Sequence, residues 1–286
     1  SSFTKAAEKL YISQPAVTSN IKKLETELGV ILFHRNNKKV SLTEGGVLFY
    51  RYALELLNVY EKAEYSLTGY RKNMEGSLQI HASTIPEQYL LPYLVKAFKE
   101  KYPLVRLSIR HQASEQVLEN VLSGTINFGF VGAKGYLDNL EYIDIYDDRL
   151  VLIIPPERKF SKSTVHITDL VGEDIILREE GSGTRRLFEN ALKENKLNMT
   201  MFGSQIVSEN LEAIKKMVKL GVGISFVPYI AVKDEIAAGL LNKYEIDDLD
   251  LQRSFSLVYC KSRCLSPIEE KFKDFVVGWK WNESFK

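Results

Sequence analysis

The sequence predicts an α/β protein in which two small Rossmann-like lobes follow an all-α winged helix-turn-helix segment and a long linker helix. Near the start, two short amphipathic helical patterns are separated by a tight turn. A long helical run with heptad spacing comes next, and apolar runs then alternate with helical patterns in two successive series. We therefore expect three domains, at 1–43, 44–75 and 76–286.

The composition is that of a well-cored globular protein. Hydrophobic residues make up 45% and charged residues 26% of the 286 positions, which argues against a disordered chain. No apolar run approaches the roughly 20 residues that a membrane helix needs, so we expect a cytoplasmic protein without a membrane partner. The formal net charge of +1 hides an asymmetry, because seven Lys and Arg residues face three acids within 1–43. The first segment is therefore the locally basic one.

The two cysteines, Cys260 and Cys264, form a C-x3-C pair with no histidine close in sequence. A structural zinc site needs four ligands, so two reduced thiols are the favoured interpretation and we predict no metal. The low cysteine count suits a reducing cytoplasm.

Two short helices joined by a tight turn are predicted within 2–28. The first, in SSFTKAAEKLY, has Ser2 as its N-cap and Ala7 on its buried side. Tyr11-Ile12-Ser13 is too short for anything but a turn, and Ser13 can cap the second helix, which Gly29 should end. Two helices in this arrangement form a helix-turn-helix, whose second helix enters the major groove of DNA.

The second helix keeps acidic residues off its outer face. At 3.6 residues per turn, its apolar stripe consists of Val17, Ile21, Leu24 and Leu28. The opposite face carries Pro15, Ser19, Lys22 and Thr26, with Thr18 and Lys23 beside it. A face of small hydroxyls and lysines suits a negative, hydrogen-bonding partner such as the edge of DNA. The alternative is a solvated helix in a protein–protein module.

A β-hairpin and a long helix are predicted after the second helix. Strands at 31–33 and 40–42, joined by a polar tip at Asn36-Asn37, would form a wing that carries Arg35, Lys38 and Lys39 toward phosphates or a minor groove. A helix capped by Thr43 should then extend to about residue 73. Its heptad seam consists of Phe49, Tyr52, Leu56, Val59, Ala63, Ser66 and Tyr70. Nothing within 1–43 is large enough to cover that seam, so dimerisation is the favoured interpretation.

The remainder of the chain is predicted to form two α/β lobes. SLQIHAS, VRLSIRH and INFGFVG are predicted strands that alternate with two helical patterns, and this βαβαβ order predicts a parallel sheet. A second series runs from LVLIIPP to SFSLVYCK, and a last helix, SPIEEKFKDFVVGW, follows. We expect lobe I at about 76–149 and 261–286, and lobe II at about 150–260, with a cleft between them.

The run SFTKAAEKLYISQPAVTSNIKKLETELGVILFHRNNKKVSLTEGG resembles the DNA-binding signature of the LysR-type transcriptional regulators. The resemblance covers essentially the whole chain and implies a two-lobed effector domain similar to type II periplasmic binding proteins. It also implies a homotetramer built as a dimer of dimers, a palindrome-like site on double-stranded DNA, a small-molecule co-inducer and RNA polymerase as a further partner. The family opens with another helix behind the helix-turn-helix, so we expect this sequence to lack about one helix at its start.

Eleven residues occupy positions where the family meets DNA. They are Ser2, Thr4, Ser13, Gln14, Pro15, Thr18, Ser19 and Lys22, together with Arg35, Lys38 and Lys39 in the wing. The residue types agree with this assignment, because hydroxyls and Gln14 can reach base edges while lysines meet phosphates.

Two stretches are candidate ligand contacts. Ser83 and Thr84 lie where a predicted strand ends and a helix begins, and Ser182, Gly183 and Thr184 repeat this arrangement. Two helix N-termini flanked by hydroxyls favour a small anion, hypothetically a sulfur or carboxylate species. The resemblance supports both stretches and adds Gly132 and Ser208. Both could instead be a cap and a flexible turn, and Arg185 and Arg186 could bind the anion or pair with Glu179 and Glu180.

No motif of an enzyme is present, so we predict neither catalytic residues nor a cofactor. GSGT lacks the G-x-S-x-G pattern of a nucleophile elbow, and the four histidines are scattered. Two other classes stay open. The two-lobed half alone would also suit a solute-binding protein of a transport system, and an α/β enzyme with an accessory domain would need a catalytic group that the sequence does not reveal.

Overall fold

The structure, a computed structural model, describes residues 2–36, 39–68, 74–135, 139–161, 164–261 and 263–281. The chain divides into two compact units, Ser1–Tyr70 with Cys264–Pro267 and Arg71–Arg263 with Ile268–Lys286. The predicted order of helix-turn-helix, wing, long helix and α/β region is confirmed. Within the described residues, no helix is both long and apolar enough to cross a bilayer.

The first unit contains the helix-turn-helix, the wing and the linker helix. Its elements are α1 (Phe3–Leu10), α2 (Gln14–Leu28), β1 (Phe33–Asn36), β2 (Lys39–Leu42) and α3 (Glu44–Thr68). The predicted end of the linker helix, at 69–73, lies outside the described residues.

Local hydrogen bonds fix the helix ends where the sequence predicts them. The hydroxyls of Ser2 and Ser13 each accept a hydrogen bond from the amide three residues on, at 3.4 and 3.3 Å. Thr43 caps the linker helix in the same way, at 2.9 Å. Gly29 follows α2 with a φ of 66°, in the left-handed region that favours glycine. The sequence therefore specifies these four boundaries locally.

The first strand of the wing begins at Phe33, two residues later than predicted. A carboxylate oxygen of Glu25 accepts hydrogen bonds from the amides of Leu32 and Phe33, at 2.9 and 3.2 Å. These amides therefore bond to α2, and the strand pairing starts with Phe33 opposite Leu42. Glu25 therefore anchors the wing to α2.

The second unit opens with the predicted βαβαβ series. Its elements are β3 (Gly76–Ala82), a π-helical turn (Pro86–Leu90), α4 (Leu91–Lys101), β4 (Val105–His111), α5 (Ser114–Ser123) and β5 (Phe128–Val131). β3 pairs in parallel with β4 on one side and with β5 on the other. The predicted parallel sheet is therefore confirmed, and its strand order is β4-β3-β5.

The second series supplies the remaining strands and helices. They are β6 (Leu140–Ile154), β7 (Thr164–Val165), β8 (Ile175–Arg178), α6 (Gly183–Glu194), β9 (Gln205–Ser208), α7 (Leu211–Lys219), β10 (Ser225–Pro228), α8 (Lys233–Ala237), β11 (Asn242–Ile246), β12 (Gln252–Cys260) and α9 (Pro267–Gly278). Three short 3-10 turns accompany them, at Ile167–Leu170, Met199–Met201 and Tyr229–Ala231.

Two long strands connect the lobes. β6 pairs with β12 up to Arg149 and with β10 and β11 from Leu150 onward, so it crosses from lobe I to lobe II near these two residues. β12 pairs along its whole length with the first part of β6, and it also pairs with β5. The chain therefore crosses back from lobe II to lobe I near Leu251. Residues 252–260, which we expected in lobe II, belong to lobe I.

Aromatic residues fill the cores of the lobes. In lobe I, the ring of Phe98 from α4 lies 5.0 Å from that of Phe272 in α9, and Phe272 stacks on Phe128 at 5.5 Å. The last helix therefore completes the core of lobe I. In lobe II, Phe188 of α6 stacks on Phe226 of β10 at 4.1 Å. Both side chains are almost completely buried, which fixes the N-terminus of α6 against the sheet.

Candidate functional site

The outer face of α2 is free within the first unit. Val17 is buried and Ile21 is half-buried, whereas Ser19 and Lys22 on the opposite side are exposed. The predicted orientation of the helix is therefore confirmed, although Leu28 in its last turn is 43% exposed. This arrangement leaves the hydroxyls and lysines of α2 available to a partner.

The N-termini of α1 and α2 add oriented donors to this surface. Ser2, Thr4, Gln14 and Pro15 are exposed at the first turns of the two helices. Gln14 and Thr18 are aligned by two hydrogen bonds, in which Thr18 Oγ1 donates to the carbonyl of Gln14 and accepts from its Nε2. Helix N-termini carry a partial positive charge and uncapped amides, so they suit phosphate groups.

The wing brings two of its three predicted contacts into a defined register. Arg35 in β1 lies opposite Val40, and Lys39 in β2 lies opposite Asn36. For Arg35 and Lys39 the structure describes the backbone, whereas Lys38 lies outside the described residues.

A cleft in the second unit collects six of the seven predicted ligand contacts. It is an open cleft with a cavity volume of about 30 Å³, and it is lined by Ser83, Thr84, Ile85, Ala113, Ser114, Gly132, Arg178, Glu179, Ser182, Gly183, Thr184, Arg253 and Phe255. We call this cavity the effector cleft. The predicted residues follow β3, follow β5 and begin α6, so three loops from both lobes converge on it.

The seventh predicted contact, Ser208, does not line the effector cleft among the described residues. It ends β9, and its hydroxyl accepts a hydrogen bond from the amide of Asn210 at 3.3 Å. The amide of Ala213 in turn donates to the side chain of Asn210, which caps α7. The Ser208 hydroxyl therefore serves the turn before that helix.

Two buried arginines of the effector cleft were missed by the sequence analysis. Arg178 is the last residue of β8, and Arg253 lies in β12. The available signal was a single arginine at the end of the apolar strand DIILR, two residues before the GSGT turn. Arg253 gave no such signal, because the long-range pairing of β12 with β6 brings it to the cleft.

Arg178 is held by a fully formed set of hydrogen bonds. Its side chain is 4% exposed and donates through Nε and Nη2 to the two carboxylate oxygens of Glu179, at 2.8 and 2.9 Å. Nη2 also donates to Thr84 Oγ1 at 3.2 Å. Arg178 thereby joins the end of β8 in lobe II to the loop after β3 in lobe I.

Arg253 has a different environment. Its side chain is 7% exposed, its Nη1 donates to Thr184 Oγ1 at 3.3 Å, and its guanidinium lies 4.4 Å from the centre of the Phe255 ring. Burial lowers the pKa of Arg253 to about 10, while the charge of Asp148 opposes this shift and that of Arg178 adds to it. The guanidinium stays charged at neutral pH, so the cleft contains two guanidiniums and one carboxylate, of which Arg178 and Glu179 are paired with each other.

Arg185 is engaged in ion pairs outside the effector cleft. Its Nε donates to Glu189 Oε1 at 2.7 Å, and its Nη2 lies 3.9 Å from a carboxylate oxygen of Glu180. The sequence left open whether Arg185 binds an anion or pairs with an acid, and these contacts favour pairing. Glu179, the other acid considered, pairs with Arg178 instead.

Gly132 sets the floor of the effector cleft. A Cβ added there would lie 2.9 Å from the Phe255 ring and 3.6 Å from Arg253 Nη1. A side chain at this position would therefore enter the space beside the guanidinium. Only glycine lets the loop after β5 approach the two residues so closely.

Two family models match the chain, one for each part of this architecture. The model described as bacterial regulatory helix-turn-helix protein, lysR family, matches residues 1–47, and the model described as LysR substrate binding domain matches residues 71–280. The chain belongs to the LysR family. It is therefore a LysR-type transcriptional regulator with a helix-turn-helix and an effector-binding domain, and this family consists of regulators rather than enzymes.

Individual relatives agree with this family membership. A "Probable RuBisCO transcriptional regulator" of Cyanidium caldarium is 32% identical over 289 residues, covering 100% of this chain and 91% of that protein. A full-length OxyR variant from Pseudomonas aeruginosa matches 98% of this chain and 90% of its own, with a TM-score of 0.79 at 22% identity. The regulatory domain of CcmR from Synechocystis PCC6803, in complex with 2-PG, matches 71% of this chain and 96% of its own, with a TM-score of 0.65 at 26% identity.

The solute-binding class loses its support in this LysR-type chain, because a solute-binding protein would have no use for the helix-turn-helix that the family model matches.

Proposed function

We propose that this LysR-type regulator binds a palindrome-like DNA site as a dimer of dimers and responds to a small anionic co-inducer in the effector cleft. In this proposal 1–43 binds DNA, 44–75 dimerises and 76–286 binds the effector. The regulator acts in the cytoplasm on double-stranded DNA, with RNA polymerase as a further partner.

The surface around α2 supports the DNA-binding half of the proposal. The hydroxyls and amides at the N-termini of α1 and α2, with Lys22 and the wing, would contact phosphates and base edges. The residues that we propose for this role are Ser2, Thr4, Ser13, Gln14, Pro15, Thr18, Ser19, Lys22, Arg35, Lys38 and Lys39.

The linker helix supports dimerisation. Tyr52, Leu56 and Val59 of the predicted seam are 58%, 69% and 53% exposed, although each is large and apolar. A regular apolar stripe along a helix of 25 residues is the pattern of a coiled-coil contact. A second copy of α3 would bury this stripe, and two α2 helices would then face two half-sites.

The observation that carries the effector half is the convergence of two buried guanidiniums on a cleft rich in hydroxyls. Buried cations are costly unless they are paired, so a site of this kind selects an anion. The proposed contacts from the sequence are Ser83, Thr84, Gly132, Ser182, Gly183 and Thr184, to which the structure leads us to add Arg178 and Arg253. Ser208, the seventh contact expected from the sequence, does not line the cleft among the described residues, so it is left out of the proposed set. The CcmR domain in complex with 2-PG supports a small-molecule ligand for this chain as well.

The experiment is a selection of bound duplexes from a random-sequence DNA pool, followed by titration of the enriched site with and without small anions. The anion panel is inorganic sulfate, orthophosphate, glycolate and 2-PG. We expect enrichment of a two-fold symmetric site, and a change in its affinity or footprint with at least one anion. Failure to enrich any site would contradict DNA binding, whereas enrichment without any response to the panel would contradict the anionic co-inducer.

A further inference from the structure

Arg253 is incompletely paired inside the effector cleft. Its side chain is 93% buried, yet Nε and Nη2 have no hydrogen-bond partner among the described residues. The hydroxyl of Thr184 and the ring of Phe255 are its close contacts. Leaving charged donors buried without acceptors is unfavourable, so an acceptor brought by a ligand would satisfy them.

The acid nearest to these donors is Asp148. One of its carboxylate oxygens lies 3.9 Å from Arg253 Nε, which is within ion-pair range but beyond a hydrogen bond. The Asp148 side chain is 2% exposed, and that same oxygen has no hydrogen-bond partner among the described residues. The other oxygen accepts from the amide of Ile230 at 3.3 Å, which holds the carboxylate in place.

The backbone keeps the two side chains side by side. Asp148 in β6 and Arg253 in β12 are directly opposite each other in the strand register, so both project from the same face of the sheet. These are the strands that connect the lobes. Burial raises the pKa of Asp148, and the charge of Arg253 opposes this shift. The pair is a weak one because its two atoms are 3.9 Å apart, beyond hydrogen-bond distance.

Arg178 provides the contrast within the same cavity. Its Nε and Nη2 donate to Glu179 and Thr84 with ordinary hydrogen-bond lengths. Among the described residues Arg253, unlike Arg178, therefore has buried donors without an acceptor.

We infer that Arg253 anchors the acidic group of the effector and that Asp148 competes for it as an internal counter-ion, so this pair determines how much negative charge the cleft accepts. The inference rests on the proposed function, because it assigns the charge selectivity of the same cleft. Asp148 repels every bound anion, and it repels a dianion about twice as strongly as a monoanion at the same position. The wild-type cleft is thereby biased toward effectors of low charge.

The test compares two probes of different charge in the full chain. Binding of inorganic sulfate, a dianion, and of glycolate, a monoanion, is measured by calorimetry at pH 8 and constant ionic strength. Asp148→Asn should tighten sulfate binding by about tenfold or more, and glycolate binding by a smaller factor. The sulfate-to-glycolate affinity ratio therefore rises. A purely structural role of Asp148 would weaken both ligands to a similar extent.

Asp147→Asn is the matched control. Asp147 precedes Asp148 on the opposite face of β6, and it accepts a hydrogen bond from the hydroxyl of Ser254 at 2.7 Å. This variant removes the same charge from the same strand, and both affinities should stay as in the wild type.

The double variant Asp148→Asn with Arg253→Gln removes the buried pair without leaving either charge alone. It should fold and lose sulfate binding by more than tenfold relative to Asp148→Asn.

Three results would overturn the inference. They are an unchanged or lowered sulfate-to-glycolate ratio in Asp148→Asn, retained sulfate binding in the folded double variant, and absence of binding of both probes to the wild type and to Asp148→Asn. None of these results affects enrichment of a DNA site in the selection experiment. The charge-selectivity inference can therefore fail while DNA binding by the regulator stands.

Discussion

Glu173 and Arg158 form a bidentate, partly exposed ion pair in lobe II. Two guanidinium nitrogens of Arg158 donate to the two carboxylate oxygens of Glu173, at 2.7 and 2.5 Å. The hydrogen bond from Arg158 lowers the pKa of Glu173, although burial opposes the shift. Because the pKa of the folded state lies below the ordinary value of 4.5, the pair stabilises the fold only where Glu173 is ionised.

We predict that Glu173→Gln lowers the free energy of unfolding by less than about 1 kcal/mol at neutral pH, since both side chains are partly exposed. The difference from the wild type should be constant from about pH 6 to 8 and should shrink as the pH falls through the lowered pKa of Glu173. Urea unfolding at several pH values measures this, with Glu157→Gln at an exposed neighbouring acid as the control. A difference that grows toward acid pH would contradict the assignment.

Particular residues show what could be predicted at this scale. Ser2, Ser13, Gly29 and Thr43 act on the backbone within three residues of themselves, so the sequence pattern was sufficient to place them. Arg253 is different, because its partner Asp148 lies in a strand more than a hundred residues earlier. No local periodicity encodes which strand will lie opposite which, and the charge of the cleft was therefore missed.

At the scale of elements, a polar cluster joins the lobes beside the effector cleft. Tyr89, in the π-helical turn of lobe I, donates to Glu212 of α7 in lobe II at 2.9 Å and accepts from Lys215 at 3.4 Å. Lys215 also bonds to Glu235, at 2.5 Å, and to a backbone carbonyl at 3.1 Å. Burial raises the pKa of Tyr89 to about 12, so the hydroxyl stays a donor over the physiological range.

We predict that Tyr89→Phe loosens the contact between the π-helical turn and α7. Removal of one hydrogen bond of about 1 kcal/mol should accelerate amide hydrogen exchange in Leu211–Lys219 by roughly fivefold. Exchange in β4, on the far edge of lobe I, should be unaffected and serves as the internal reference. Equal exchange of Leu211–Lys219 in the wild type and in Tyr89→Phe would mean that the tyrosine hydroxyl does not hold the lobes together.

The long strand β6 is the element that the sequence analysis described least well. Its apolar end, LVLIIPP, predicts a strand, whereas the preceding LEYIDIYDD mixes acids and apolar residues and predicts none. In the structure this part pairs along its length with β12 and forms the connection between the lobes. Long-range pairing with β12 outweighs the local propensity of this part, which explains why the strand begins earlier than its apolar run.

At the scale of the whole molecule, the exposed seam of α3 determines the expected assembly. Leu56 lies in the predicted heptad seam and is 69% exposed, while Leu57 lies beside the seam and is 58% exposed. The two leucines have the same size and the same helical context. Substituting each leucine in turn therefore shows whether dimerisation depends on the seam itself or on any exposed apolar residue of α3.

We predict that Leu56→Lys weakens dimerisation by tenfold or more, because it would bury a charge in the contact, whereas Leu57→Lys leaves the assembly intact. Sedimentation velocity over a range of protein concentrations measures this difference. Equal assembly of both variants with the wild type would exclude the seam as the dimer contact.

The central claim is that the outer face of α2 contacts DNA. Its most direct test is the salt dependence of binding to the enriched site, measured by fluorescence anisotropy from about 50 to 200 mM salt. Lys22→Ala should weaken binding at every salt concentration and reduce the slope of log K against log salt by about 1, because one phosphate contact is lost. Lys96→Ala, an exposed lysine of the second unit, should leave affinity and slope unchanged. Equal slopes for the wild type and Lys22→Ala would contradict the claim.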